Sequence, residues 1–336
     1  MPAPTQAATD HTNQTERIFG LFKTMLLIRA FEEAAHQLLT EGLVHGSVHQ
    51  SIGQEAISVA VCGNLRRDDL IQSNHRGHAH AIAKGANPTA MMKELLGRAG
   101  GTNGGKGGSM HIADFSVGML GANGILADGM GLAAGAAHAV TLKGEDKIVG
   151  VFVGDGSTNR GPFYEALNWA KVFHLPLLIV CEDNGYASTT ATRGVTAGGG
   201  PAVRAASFDI PVVSVDGNDL LAMDAAAATL IERIRNGGGP HFLHAATYRL
   251  KGHVSRDPGL YRPKGELEAR WDHEPVRRAE AWLAEQGVTP TEIAAARAAA
   301  QERIAGGVAE ARAAPFPDPK VAYADVQDVG GPSWPK

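Results

Sequence analysis

The chain has 336 residues, 44 % of them hydrophobic, with a net charge of −4 and two cysteines. That length suits one large α/β domain, or one domain with a helical appendage, and the near-balanced charge argues against a nucleic-acid or other polyanionic partner. Cys62 and Cys181 lie in apolar segments and give no disulfide framework, which points to a reducing cytoplasm, and no apolar run approaches the roughly 20 residues of a membrane helix.

Residues 1–15 are polar and lack the cationic start and apolar centre of a signal peptide, so they read as a disordered tail. Over 19–39, Leu26, Leu27, Ala30, Phe31, Ala34 and Leu38 recur on one side and predict an amphipathic helix. A second helix is expected over 54–65, a short strand over 69–72, and a helix over 86–98 with Pro88 near its start. The glycines of 100–108 are mixed with Lys106 and followed by Met110 and His111. They therefore read as backbone passing close to a cofactor or a subunit, not as a linker. Residues 132–142 are rich in Ala and Gly and suit a closely packed helix. The Gly198–Pro201 run reads as flexible linker. Strands over 212–215 and 242–247 flank a helix over 220–235. From Gly265 the composition becomes charged and Ala-rich, giving helices over 266–286 and 291–313 that stop at Pro315-Phe316-Pro317. The chain thus divides into a tail (1–15), one domain (16–264) and a helical C-terminal extension (265–336) read as packing or subunit contact.

The most informative stretch is Gly154-Asp155-Gly156-Ser157 together with Glu182-Asp183-Asn184-Gly185-Tyr186. Asp155 and Asn184 are 29 positions apart, and each follows an apolar run, Ile148–Val153 and Leu177–Val180. Between them, Phe163, Ala166, Leu167, Ala170 and Phe173 repeat on one face behind Pro162, which predicts a helix. A strand-helix-strand unit of this kind sets a carboxylate and an amide oxygen at adjacent carboxyl ends of a parallel sheet, where open α/β sheets bind ligands. A hard cation with a phosphate-bearing cofactor wants such oxygens, with glycines for close approach. A helix-capping Asp155 and an ordinary Asn184-Gly185 turn are the plainer readings.

These residues resemble the thiamine diphosphate signature. The chain resembles, over about 22–325, the alpha subunit of the thiamine-dependent first component of 2-oxoacid and acetoin dehydrogenase complexes. The resemblance also rests on Gly53-Gln54-Glu55-Ala56, His75-Arg76-Gly77-His78, the segments Gly105–His111 and Gly121–Ile125, and Tyr248–His253. It implies an α/β thiamine diphosphate-binding fold, with a central, mostly parallel sheet flanked by helices. Asp155, Asn184 and the Tyr186 carbonyl are then expected to hold Mg²⁺. Gly156 and Ser157 offer amides to the diphosphate, and Arg76 pairs with it beside His75. Ser116, Gly124 and Leu126 match positions lining the cofactor rings, although a core leucine is the simpler account of Leu126. His253 is expected over the cofactor and His49 near the substrate, as charge-stabilising or proton-relaying groups.

No glutamate in the chain can be assigned to activate the aminopyrimidine, so the resemblance implies a site completed by a beta subunit in a heterotetramer of two alpha and two beta chains. The implied reaction is decarboxylation of a pyruvate-like 2-oxoacid or cleavage of acetoin, with the fragment passed to lipoamide on an acyltransferase component. Two rivals remain: a nucleotide-dependent oxidoreductase, disfavoured because Gly154-Asp155-Gly156 lacks the G-x-G-x-x-G spacing, and a non-catalytic scaffold subunit keeping the fold. His75, His78 and His80 also invite a zinc reading, with no Cys or carboxylate nearby to close the shell and a surface position the plainer account of His80. Asp128 lies in a segment, 127–131, that departs from the family's apolar, proline-bearing pattern, and is expected either to face solvent or to alter the substrate pocket.

Overall fold

The computed structural model describes residues 6–323. In chain order, α1 (Gln6–Thr40) and α2 (Glu55–Asn64) precede β1 (Leu70–Gln72), α3 (Gly77–Lys84) and α4 (Pro88–Leu95). After a glycine-rich loop come β2 (Met119–Gly121), α5 (Asp128–Lys143), β3 (Val149–Gly154), α6 (Gly161–Val172) and β4 (Leu177–Asp183). A small hairpin, β5 (Tyr186–Ala187) and β6 (Thr190–Ala191), leads to α7 (Gly200–Ala206), β7 (Val212–Asp216), α8 (Leu220–Arg235) and β8 (His241–Ala246). The chain closes with α9 (Glu266–Trp271), α10 (Pro275–Glu285) and α11 (Pro290–Ala313).

Six strands form one sheet in the order β2-β1-β3-β4-β8-β7, parallel at every pairing. β3 and β4 are buried along nearly their whole length. Their unbroken Val, Ile and Leu runs suit a sheet covered on both faces. One face packs on α5 and α6 through Met130, Ala133, Phe163 and Leu167. The other packs on α1, α2 and α8 through Phe22, Ile57 and Met223. The chain leaves β1 for the edge strand β2 and then crosses back to β3, so the topology reverses between β1 and β3, the place where such sheets open a crevice.

Three boundaries differ from expectation. The segment read as a tail is helical from Gln6, and only residues 1–5 of it lie outside the described residues. The helix is tethered where the apolar pattern fades: Arg17 grips Asp224 at 2.7 Å and donates to Asn64. The run read as linker turns helical at Gly200, because Pro201 starts α7 and Arg204 ties it to the Thr158 carbonyl at 2.7 Å. The 266–286 stretch is two helices, since Pro275 opens α10 behind the cap of Glu274 on the Val276 and Arg277 amides. The C-terminal helices bury Val276, Leu283, Ile293 and Ile304 in the core that α1 belongs to.

Candidate active site

The loops after β1, β3, β4 and β8 and the turn after β2 converge on a cavity of about 350 Å³ at the carboxyl edge of the sheet. The register sets its floor. Gly154 of β3 is level with Glu182 of β4, so Asp155 and Asn184 emerge side by side just beyond their strands. Asp155 is 3 % exposed, and its Oδ2 has no hydrogen-bond partner. Burial, reinforced by the nearby Asp183 charge, pushes its carboxyl up to about 6. A buried carboxylate oxygen left unpaired is costly unless a cation meets it. Asn184 is held by its amide: its Nδ2 donates to Gln54 Oε1 at 2.8 Å. Its oxygen accepts only a long 3.2 Å bond from the Tyr186 amide. Asp155 and Asn184 thus bring side-chain oxygens to one wall beside Tyr186, the kind of donor a hard divalent cation takes.

The opposite wall is cationic. Arg76 is 3 % exposed and donates to carbonyls, Gln50 O at 2.6 Å and His253 O at 3.0 Å, with the His253 ring 3.3 Å away. Arg249, also buried, donates to Ser188 O at 2.9 Å and to the Tyr261 hydroxyl at 2.6 Å. Among the described residues neither guanidinium bonds a carboxylate, and burial together with mutual repulsion pushes Arg76 down to about 9. Two buried charges facing a cavity with no carboxylate bonded to either suit a multivalent anion. Gly156 lets the β5 hairpin close on the cavity, because a Cβ there would sit 2.6 Å from that of Ala187. Burial and Arg76 push His253 down to about 4 and His49 to about 3, and His75 falls well below the usual imidazole range. All three rings stay neutral near pH 7 until an anion arrives.

The family description "Dehydrogenase E1 component" matches residues 23–320. The chain belongs to the dehydrogenase E1 component family. Among its relatives, the alpha subunit of acetoin:2,6-dichlorophenolindophenol oxidoreductase from Bacillus subtilis (strain 168) is 46 % identical over 251 residues, 75 % of each chain. The Cupriavidus necator protein of the same name is 42 % identical over 313 residues, 93 % of this chain and 94 % of that one. The Rhizobium meliloti pyruvate dehydrogenase E1 component subunit alpha is 37 % identical over 307 residues, 91 % and 88 % of the two chains.

Within this dehydrogenase E1 fold, His49, His75, Arg76, Gly124, Leu126, Asp155, Gly156, Ser157, Asn184, Tyr186 and His253 all line the one cavity. Ser116 does not: it is exposed, and Asp114 takes both its hydroxyl and its amide in a short turn. Leu126 is 39 % exposed at the rim, not a core leucine. Asp128 is spent locally, accepting from Asn123 Nδ2 at 2.7 Å to close the turn into α5. The His75, His78 and His80 run, already disfavoured as a zinc site, disperses. His78 is buried between Glu32 and Ser109, and His80, also buried, between Glu182 and Ser73. Those glutamates come from far along the chain, which is why local spacing hid them.

Sequence reasoning missed Arg249, Gln54, Glu182 and Met110 on the cavity wall. Arg249 and Gln54 sit inside motifs already noticed, so position within a motif was the available signal. The glycine-rich loop also has a reason within the chain itself. Asn103, Gly105, Gly107 and Gly108 turn their amides onto the buried Glu94 carboxylate at 2.7, 2.8, 2.6 and 3.3 Å. A Cβ on Gly101 would fall 2.4 Å from Glu94 Oε2, so glycine there admits the carboxylate.

Proposed function

We propose that this chain is the alpha subunit of a thiamine diphosphate- and Mg²⁺-dependent dehydrogenase that cleaves acetoin or decarboxylates a pyruvate-like 2-oxoacid. The observation that carries the reading is the pairing, in one cavity, of a buried Asp155 carboxylate with one oxygen bare and two buried guanidiniums that bind no carboxylate directly among the described residues. Metal and diphosphate complete each wall with what it lacks. Asp155, Asn184 and the Tyr186 carbonyl hold Mg²⁺. Arg76, Arg249 and the amides of Gly156 and Ser157 hold the diphosphate. When bound, thiamine diphosphate supplies a nucleophilic carbon and an electron sink for the cleaved bond.

The remaining work falls to this chain's own side chains. His253 and His49 start neutral, and a bound diphosphate raises their basicity, which suits them to hold or pass a proton beside the reacting carbonyl. Leu126 and Met110 give the cavity its apolar side and exclude water. Among the described residues no carboxylate on the cavity wall is free to activate the cofactor. Glu182, the other acid on the wall, is held by Asn74 Nδ2 at 3.0 Å and by His80 at 3.3 Å. This supports a site completed by a beta subunit, in an α2β2 assembly that delivers its product to a lipoyl-bearing acyltransferase. Acetoin is the favoured substrate, because the relatives named for acetoin share 46 % and 42 % identity against 37 % for the pyruvate relative.

The test is dye reduction by the chain alone, by its partner alone and by both together, with acetoin and with pyruvate. Turnover only in the pair, only with thiamine diphosphate and Mg²⁺, and faster with acetoin is expected. Full turnover by this chain without a partner would contradict the shared site.

A further inference from the structure

Three imidazoles from three separate elements crowd the mouth of the cavity. His49 precedes α2, His75 follows β1, and His253 sits in the loop after β8. One ligating nitrogen of each lies within 4.8 Å of the others. Their ring centroids are 4.7, 4.9 and 5.6 Å apart. His49 is 7 % exposed, and its Nδ1 has no hydrogen-bond partner. The contrast with His78 and His80 is direct: those rings are each tied to a glutamate, whereas among the described residues no carboxylate bonds the rings of these three.

We propose that His49, His75 and His253 form a second metal site, selective for a borderline transition cation such as Zn²⁺ and distinct from the oxygen site at Asp155 and Asn184. Three imidazoles with a fourth position open to a cavity are the donor set and geometry zinc accepts, while Mg²⁺ prefers carboxylate, carbonyl and water oxygens. Zinc–nitrogen bonds of about 2.0–2.1 Å set tetrahedral ligands roughly 3.3 Å apart, so the three side chains close on the ion. His253 exchanges its 3.3 Å contact with Arg76 Nη2 for the metal, while its carbonyl keeps the 3.0 Å bond to the same group. The Arg76 charge opposes the ion and limits its affinity. An ion so placed occupies the entrance that the diphosphate uses, a consequence that rests on the function proposed above. Zinc is therefore an inhibitor that competes with the loaded cofactor.

The experiment is calorimetric titration of Zn²⁺ alone into the full, chelator-treated chain, with Co²⁺ as a visible-absorption probe of four-coordination. One Zn²⁺ per chain is expected. His75→Phe and His253→Ala should each weaken binding by about tenfold or more, the usual loss when a ligand shell is disturbed. Asp155→Asn should leave it within about twofold. Thermal melts near wild type identify variants that still fold. Absence of zinc binding, or equal binding by folded His75→Phe and His253→Ala variants, would overturn the site. Titration is then repeated in the presence of thiamine diphosphate and Mg²⁺, where a raised zinc dissociation constant is expected. Zinc binding that depends on the histidines but ignores thiamine diphosphate would keep the metal site and count against the diphosphate reading.

Discussion

Glu94 and Asp155 are both buried carboxylates set among glycines, yet they belong to opposite kinds of region. Glu94 is enclosed by four backbone amides of the loop it organises. Asp155 is equally hidden and leaves one oxygen bare. The first carboxylate is satisfied by the fold and holds it together. The second is left wanting by the fold, and the missing partner is a ligand. Burial alone does not distinguish structure from function; satisfaction does.

The largest expected effect breaks the structural half of this comparison. Glu94→Ala strips the acceptor from four amides and should cost about 3 kcal/mol or more, since each unpaired buried group costs roughly 1–3 kcal/mol. Chemical denaturation reads that loss, and an unchanged midpoint would show that water can replace the carboxylate.

The next effect breaks the functional half. Asp155→Asn should leave the melting temperature equal or higher, yet lower Mg²⁺-dependent thiamine diphosphate affinity by about a hundredfold or more. A variant that melts well below wild type would place Asp155 with Glu94. Gln54→Ala sharpens the point, because Gln54 accepts from the Asn184 amide and so orients it. Loss of such a support typically costs about 10–100-fold in metal affinity. Binding of Mg²⁺ and thiamine diphosphate should fall by that much while α2 stays folded by circular dichroism.

The smallest effect is a matter of pH. Asp155 carries a raised pKa, about 6, so its contribution to stability is present in acid and is lost as pH rises through about 6. The cation reverses this by favouring the ionised form. His253 carries a depressed pKa, about 4, so its contribution is present above the ordinary imidazole range and is lost as pH falls through about 4. Melts of the chain without ligands should therefore lose stability at both ends, and Asp155→Asn should remove only the loss on the rising side. Mg²⁺ should restore stability above about pH 6 in wild type and not in the variant.

Legibility in the sequence followed the range of the interactions. The β3-α6-β4 unit is local, with unbroken apolar runs and a proline at the helix start, and its expected elements agree with the observed ones within a residue or so at most ends. Asp155 and Asn184 were readable because the same local unit carries both. Arg76 and His253 were placed by resemblance, and the structure shows them touching across 177 positions of chain. Spacing could not reveal what came from far away. Glu32 and Glu182, which claim His78 and His80, are 46 and 102 positions from their partners, so the local histidine triplet suggested a metal site that tertiary pairing dissolves. The glycine run hid a contact of the same kind, as Glu94, a helix residue 9 to 14 positions upstream, gathers its amides. Ser116 was expected at the cofactor and is instead turned onto its neighbour Asp114.

The most direct test is calorimetric titration of thiamine diphosphate into wild type and Asp155→Asn, each with and without Mg²⁺, with the partner subunit co-expressed. The account predicts saturable binding that needs both Mg²⁺ and the Asp155 carboxylate. Binding by the variant as tight as wild type, or binding indifferent to Mg²⁺, would contradict it.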